Sequence, residues 1–209
     1  MHISDGVLPP AVALGGYAAA LGLTVWSARK VPGANLPKVA VTTAAFFVAS
    51  LVHVPLGPTS VHLVLPGLVG ILLGDAAFVS VGLGLLLQGL LFSFGGLTAL
   101  GANALMMGVP ALVAGRVFSA SRGASPGRRA LVGGLVGGLA TALAALILAL
   151  LLVTAGEDFF GVAKVALAAH LPVIAIEGAV CFFAVSFLLR VKPELLEGPA
   201  RGPAETPAP

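Results

Sequence analysis

The chain has 209 residues, of which 58% are hydrophobic and only 9% are charged. Soluble domains carry about 25% charged residues, so this composition excludes a protein that covers its whole surface with water-facing side chains. The net charge of +3 is small, and the basic residues lie at the ends of apolar runs. This distribution argues against a nucleic-acid partner and indicates a multi-pass membrane protein.

Seven apolar segments follow one another along the chain, and each predicts a helix. They cover residues 9–28, 36–56, 62–74, 76–94, 99–119, 129–154 and 168–190. The third is shorter than the roughly 20 residues that a straight span needs, so it predicts a half-helix or a hairpin partner that turns at Gly74-Asp75. A mixed stretch at 157–169 predicts a separate surface helix. The predicted fold is an all-α polytopic membrane protein with about seven transmembrane helices.

The basic residues predict the orientation of these helices. If seven segments cross the membrane, ten of the eleven Lys and Arg residues lie on one side and only Lys164 lies on the other. The positive-inside rule then places the N-terminus outside and the C-terminus in the cytoplasm. We expect one transmembrane domain over residues 1–196. The Pro-, Gly- and charge-rich residues 197–209 predict a disordered cytoplasmic tail.

The first six residues, MHISDG, contain groups that can bind a transition metal. The first basic residue is Arg29, so a cleaved signal peptide is not expected, and His2 is too large to favour removal of Met1. The free amine of Met1, the backbone nitrogen of His2 and the His2 imidazole can chelate one ion through three nitrogens. A second imidazole would complete a near-planar set of four nitrogens, which is typical of Ni(II) or Cu(II). The alternative is an exposed or capping histidine.

The predicted orientation places all four histidines on the outer side. His62 is the candidate fourth ligand because a loop with glycine and proline precedes it and could fold towards the N-terminus. His53 is interpreted as a packed histidine hydrogen-bonded to backbone, with metal ligation as the alternative. His170 lies seven residues before Glu177, so the two share a helix face.

Two polar residues in apolar surroundings are further candidates. Glu177 is a carboxylate at membrane depth, where a charge is costly, so a functional role is its default interpretation. Several interpretations of Glu177 stay open: protonation, pairing with Gln88 or Asn103, a structural hydrogen bond, or a role in transport. Asn103 ends the run Gly95–Asn103, GGLTALGAN, which predicts a tight outer turn. Asn103 either caps the fifth helix or orients a ligand imidazole.

These motifs together resemble the CbiM/NikM family, the substrate-binding membrane components of energy-coupling factor transporters for cobalt and nickel. The resemblance covers residue 1 to about residue 196. It is carried by MHISDG, Thr59-Ser60-Val61-His62, GGLTALGAN, HLPVIAIEG and the following RVKPELL.

The resemblance implies a set of site residues and partners. Met1, His2 and His62 would hold the metal, and Asp5 would orient the N-terminus. Asn103, Thr59 and Ser60 are further candidates for support of the ligands or of the loop. The partners would be a membrane coupling subunit and two cytoplasmic ATPases, in a bacterial or archaeal cytoplasmic (inner) membrane. A small accessory membrane subunit, where needed, would be a separate chain.

The function expected is ATP-driven import of Co²⁺ or Ni²⁺, for uses such as cobalamin biosynthesis. The metal is then the transported substrate, and no prosthetic group is expected. The chain contains no GxxxxGK[ST] or HExxH motif, so ATP hydrolysis is expected on the partners and enzymatic activity is not expected here.

Two other functions compete with this one. The first is an ion-coupled secondary carrier that uses Glu177 as a proton site. The second is a metal-dependent membrane enzyme. A planar site closed by four protein nitrogens leaves no open position for an activated water, which counts against the enzyme.

Overall fold

The computed structural model describes residues 2–51, 53–56 and 59–197, with the backbone alone for residues 53–56 and 59–62. These residues form seven α-helices, one hairpin and short 3-10 turns. The elements are α1 (Pro10–Ala28), α2 (Leu36–Ser50), β1 (His53–Leu56), β2 (Thr59–His62), α3 (Pro66–Leu73), α4 (Ala77–Phe92), α5 (Leu100–Ser119), α6 (Pro126–Thr154) and α7 (Phe159–Val191). The all-α class is confirmed, with the hairpin as an unpredicted addition. The predicted tail lies outside the described residues from 198 onwards.

The helices confirm a multi-pass membrane protein. Within the described ranges, five stretches are long and apolar enough to cross a membrane, namely Pro10–Ala28, Pro66–Phe92, Leu100–Ser119, Pro126–Thr154 and Phe159–Val191. The number of seven crossings and the orientation of the termini stay predictions.

The ends of the second and third predicted helices are wrong. The second helix ends at Ser50 rather than at 56, and the third begins at Pro66 rather than at 62. Between them the chain forms an antiparallel hairpin in which His53 lies opposite His62. The sequence of the hairpin explains this difference, because Pro55 and Pro58 disfavour helical geometry in the residues that precede them. Proline has no N–H to donate, and in a two-stranded antiparallel ladder every second residue does not donate its N–H to the other strand. Pro55 is therefore tolerated in β1.

The short helix α3 runs from the middle of the bundle to one end. At its start, a Cβ placed on Gly67 would lie 2.6 Å from the Cα of Gly137, near the midpoint of α6. Just beyond its end, Asp75 forms a salt bridge of 3.4 Å with Arg116 at the end of α5. Gly74, with φ +57°, then allows the chain to reverse into α4. The structure therefore combines both predictions for this segment, a half-helix that is also a hairpin partner.

The last two helices form a long antiparallel pair. Their backbones approach closely at glycines, since a Cβ on Gly137 would lie 2.5 Å from the Sγ of Cys181 and one on Gly134 would lie 3.1 Å from the carbonyl oxygen of Gly178. Such small-residue contacts hold membrane helices together where no hydrophobic exclusion from water is available.

The separate surface helix predicted at 157–169 is wrong, because α7 continues from Phe159 through Pro172 to Val191. Residues 162–171 contain neither glycine nor proline, so nothing in them interrupts the helix.

Candidate metal centre

The N-terminal segment, residues 2–9, places its first two residues inside the helical bundle, whereas residues 4–6 stay exposed. Ile3 is 0% exposed and His2 is 5% exposed. Ile3 belongs to the main hydrophobic core together with Met106 and Met107 of α5. The His2 imidazole is therefore fixed inside the protein, which excludes the interpretation of an exposed histidine.

Asn103 holds this segment by its backbone. Its Oδ1 accepts a hydrogen bond of 2.9 Å from the N–H of Ile3, and its Nδ2 donates to the carbonyl oxygen of Ile3 at 3.0 Å. The same Nδ2 donates to the carbonyl oxygen of Gly95 at 3.0 Å. The capping alternative for Asn103 is wrong, because Ala99 is the N-cap of α5 and Asn103 lies inside the helix. Asn103 thus fixes the peptide that follows His2 and joins it to the turn before α5.

Two glycines of that turn give the N-terminal segment its space. Gly95 and Gly96 have φ of +78° and +65°, which favours glycine over any other residue. A Cβ on Gly95 would lie 2.9 Å from Nδ1 of His2, and a Cβ on Gly96 would lie 2.2 Å from Cγ of Asp5. The GG pair is therefore required both by the backbone conformation and by the packing of His2 and Asp5.

Asp5 binds the residues after this glycine pair. Its carboxylate accepts hydrogen bonds from the N–H of Leu97 at 3.2 Å, the N–H of Thr98 at 2.6 Å and the hydroxyl of Thr98 at 2.5 Å. The Thr98 hydroxyl, helped by these backbone N–H groups, lowers the pKa of Asp5 below its ordinary value. Asp5 is accordingly a second anchor for the N-terminal segment.

The other proposed ligands lie at the edge of what the structure describes. The Met1 amine and the side chains of His53, Thr59, Ser60 and His62 lie outside the described residues. The backbone positions of His53, Thr59, Ser60 and His62 in the hairpin are described, and β2 packs beside α7. Among the side chains that the structure does describe, no group of three His, Cys, Asp or Glu converges.

Glu177 binds the chain directly after β2. It is 0% exposed, and its Oε1 accepts hydrogen bonds from the N–H of Val64 at 2.6 Å and from the N–H of Leu65 at 3.0 Å. Its Oε2 is hydrogen-bonded to the hydroxyl of Thr141 in α6.

The pairing of Glu177 with Gln88 or Asn103 is therefore wrong. Gln88 donates instead to the Ser50 hydroxyl at 2.5 Å, which links α4 to α2.

His170 is fully buried in α7. Its Nδ1 lies 2.6 Å from the carbonyl oxygen of Ala166, one helical turn earlier, so Nδ1 carries the proton and donates. Nε2 has no hydrogen-bond partner among the described residues. His170 and Glu177 are both fully buried, and their spacing of seven residues places them on one face of α7.

Two hydroxyl groups in these networks were not predicted. Thr98 supports Asp5, and Thr141 supports Glu177. Thr98 lies within the GGLTALGAN run, so its position could have suggested a role. Thr141 lies in a long apolar run, where threonine usually bonds its own helix, and it does donate to the carbonyl oxygen of Gly137 at 3.2 Å.

Similar proteins carry names that concern metal transport. The chain is 36% identical to a Haemophilus influenzae protein provisionally named as a metal transport protein, over 94% of this chain and 97% of that one. It is 38% identical to the fused nickel transport protein NikMN of Rhodobacter capsulatus, over 63% of this chain and 40% of that one. The cobalt transport protein CbiM of Geobacter sulfurreducens is 32% identical, over 97% of this chain and 66% of that one.

Solved structures and a family model agree with these relatives. A crystal structure of a transition metal transporter matches with a TM-score of 0.79 at 25% identity, over 91% of this chain and 93% of that one. A truncated transition metal transporter matches with a TM-score of 0.74 at 27% identity, over 90% and 98%. The model of the cobalt uptake substrate-specific transmembrane region, CbiM, matches residues 2–195. The chain belongs to the CbiM family.

Proposed function

We propose that this chain is the substrate-specific membrane subunit of an ATP-driven importer of Co²⁺ or Ni²⁺. The observation that carries the proposal is the burial of His2 at the end of a segment that Asn103 and Asp5 anchor to the bundle. The first residues of a chain are poorly ordered unless contacts tie them down, and here the hydrogen bonds of Asn103 and Asp5 do so. The names of the relatives support both metals, since they include nickel and cobalt transport proteins.

The metal would be bound by the Met1 amine, the two nitrogens of His2 and the imidazole of His62. Three nitrogens from the first two residues form a chelate that selects ions able to displace an amide proton, and a fourth nitrogen closes a planar set. In this proposal the metal is cargo. The anchors at residues 3 and 5 would set the His2 backbone in the plane that the ion requires, as outer hydrogen bonds do at other metal sites.

Partner subunits would supply the energy. The exposed face of α1 supports a membrane partner, because its small residues Gly15 and Gly22 have nothing within 4 Å of an added Cβ. Close helix association in membranes uses such residues. The partners proposed are a coupling subunit in the membrane and two cytoplasmic ATPases.

Uptake of radiolabelled Ni²⁺ and Co²⁺ tests this proposal in cells that express the chain with its partner subunits. Uptake should require His2 and His62, should stop when ATP is depleted, and should survive collapse of the proton gradient while ATP is maintained. Uptake that follows the proton gradient and persists without ATP would instead identify a secondary carrier. A metal that stays bound and does not exchange would revive the membrane enzyme.

A further inference from the structure

The junction between the hairpin and α3 is held by a side chain from another helix. Val64 and Leu65 lie between His62, which ends β2, and Pro66, which begins α3. Both N–H groups donate to the same oxygen of Glu177, at 2.6 and 3.0 Å. Neither the strand ladder nor the helix provides an acceptor at these positions, and α3 has no side-chain cap of its own. Backbone groups at this depth need a partner within the protein, and Glu177 provides it.

The junction also has a conformation that its own sequence does not favour. Leu65 has φ +54° and ψ +37°, the left-handed region that costs free energy for any residue with a Cβ. Such a conformation persists only when its surroundings hold it. The N–H groups of Val64 and Leu65 both donate to Glu177, whereas the carbonyl oxygen of Leu65 accepts from the N–H of Val69 in the first turn of α3. The position of the chain just after His62 therefore depends on Glu177.

Glu177 is itself held firmly. It is fully buried, lies near the middle of the long α6–α7 pair, and contacts the Thr141 hydroxyl. The glycine contacts of α6 with α7 leave these helices little freedom to move apart. The carboxylate is thus a rigid reference point for the chain between β2 and α3.

We propose that Glu177 is a positioning residue for the metal site: it sets the place of His62 through the N–H groups of Val64 and Leu65, and it does not coordinate the metal. This inference rests on the proposed function, because it takes His62 as a ligand. It differs from a proton-carrying role, in which the charge of Glu177 would be needed.

Replacement of Glu177 by glutamine separates these roles. In Glu177→Gln the amide oxygen still accepts both N–H groups, and the amide NH₂ can donate to the Thr141 hydroxyl, so the junction keeps its bonds without the charge. In Glu177→Ala both N–H groups lose their acceptor. Positioning predicts that glutamine is tolerated and alanine is not, whereas a role for the charge predicts that both variants fail.

The experiment measures the affinity of the purified full chain for Ni²⁺ and for Co²⁺, together with its thermal unfolding without metal. Loss of a group that orients a metal ligand costs about 10- to 100-fold in affinity, which is the loss expected for Glu177→Ala. Glu177→Gln should stay within about fivefold of the wild type. Gln88→Ala, which removes a buried polar group bonded to Ser50, is the matched control and should leave both affinities unchanged.

A double variant shows whether the effect passes through His62. In a His62→Ala background, Glu177→Ala should cause no further loss of affinity, since the ligand that it positions is gone. An equal loss in both backgrounds would overturn the proposal, because it would show a general effect on the bundle. So would a loss of less than about tenfold in the single alanine variant.

Two further outcomes are decisive. If Glu177→Ala does not fold, the glutamine variant decides alone, and a loss of more than fivefold there overturns the proposal. If the wild type binds neither metal, the proposed function fails. A wild type that binds and an alanine variant that binds equally well overturn only the role of Glu177.

Discussion

Replacing Asn103 with leucine should release the N-terminal segment from the bundle. The change removes both hydrogen bonds to Ile3, at 2.9 and 3.0 Å, and the bond to Gly95. A hydrogen bond contributes about 1 kcal/mol net, so the two bonds to Ile3 together contribute about 2 kcal/mol. We call the N-terminal segment seated when its residues 2–9 are bound to the bundle, and released when they are not. At 1.4 kcal/mol per factor of ten, the ratio of seated to released molecules falls about 30-fold in Asn103→Leu.

Hydrogen exchange of residues 2–9 measures this release directly, and chelator competition measures the affinity for Ni²⁺ or Co²⁺. We expect faster exchange at Ile3 and an affinity reduced by up to about 30-fold, because only the seated fraction binds. Ser27→Ala is the control: it removes a buried hydroxyl that bonds Asp75 and Val79 at the opposite end of the bundle. An Asn103→Leu protein with unchanged exchange and unchanged affinity would refute the reasoning.

Three further predictions concern other contacts. Gly96→Ala should lower the unfolding temperature and the metal affinity, since it adds a Cβ 2.2 Å from Cγ of Asp5 at φ +65°. Gly123→Ala is the control, because Gly123 has φ +82° but nothing within 4 Å of an added Cβ. This variant has the backbone strain of about 1–2 kcal/mol without a contact to Asp5, so it should retain its affinity for the metal. Gly137→Val should lower the unfolding temperature by several degrees, because its Cβ would lie 2.5 Å from Sγ of Cys181. Because the pKa of Asp5 is lowered, its hydrogen bonds are complete above the ordinary carboxyl pKa of 3.8 and are lost as the pH falls through the lowered value. The stability of the wild type without metal should therefore decrease at acid pH, and this decrease should be smaller in Asp5→Asn.

Controls and contradicting results are available for each. Equal affinities in the Gly96 and Gly123 variants would show that the contact with Asp5 has no effect on the site. For Gly137, the comparison is Gly127→Ala in the first turn of the same helix, where nothing lies within 4 Å. Identical pH profiles for wild type and Asp5→Asn would remove Asp5 as an anchor.

The sequence predicted the helices better than the parts between them. Apolar runs located all seven helices of the described residues, because sustained hydrophobicity is a strong signal in a membrane protein even where, as in α3, the run is shorter than a span. The hairpin was missed because its residues were divided between the ends of two predicted helices and the loop that joins them, and a ladder of four residue pairs is too short to give a clear strand pattern. The continuous α7 was missed because Lys164 and Glu157 suggested a surface, although a helix can pass from surface to bundle without a break.

The partners of the polar side chains could not be predicted, because they depend on contacts between distant residues. Asn103 and Ile3 are 100 residues apart, and Glu177 and Val64 are 113 residues apart. The sequence identified Asn103 and Glu177 as unusual in apolar surroundings. Their actual partners are backbone groups, which every residue has and which therefore leave no trace in the sequence.

The affinity of a chain whose N-terminal amine is acetylated tests the central claim most directly. Acetylation converts the amine of Met1 into an amide and so removes one proposed ligand, while every described side chain stays the same. Binding of Ni²⁺ and Co²⁺ to the purified protein should then be lost, with thermal unfolding in the absence of metal unchanged. An acetylated chain that binds either metal as tightly as the wild type would contradict this claim.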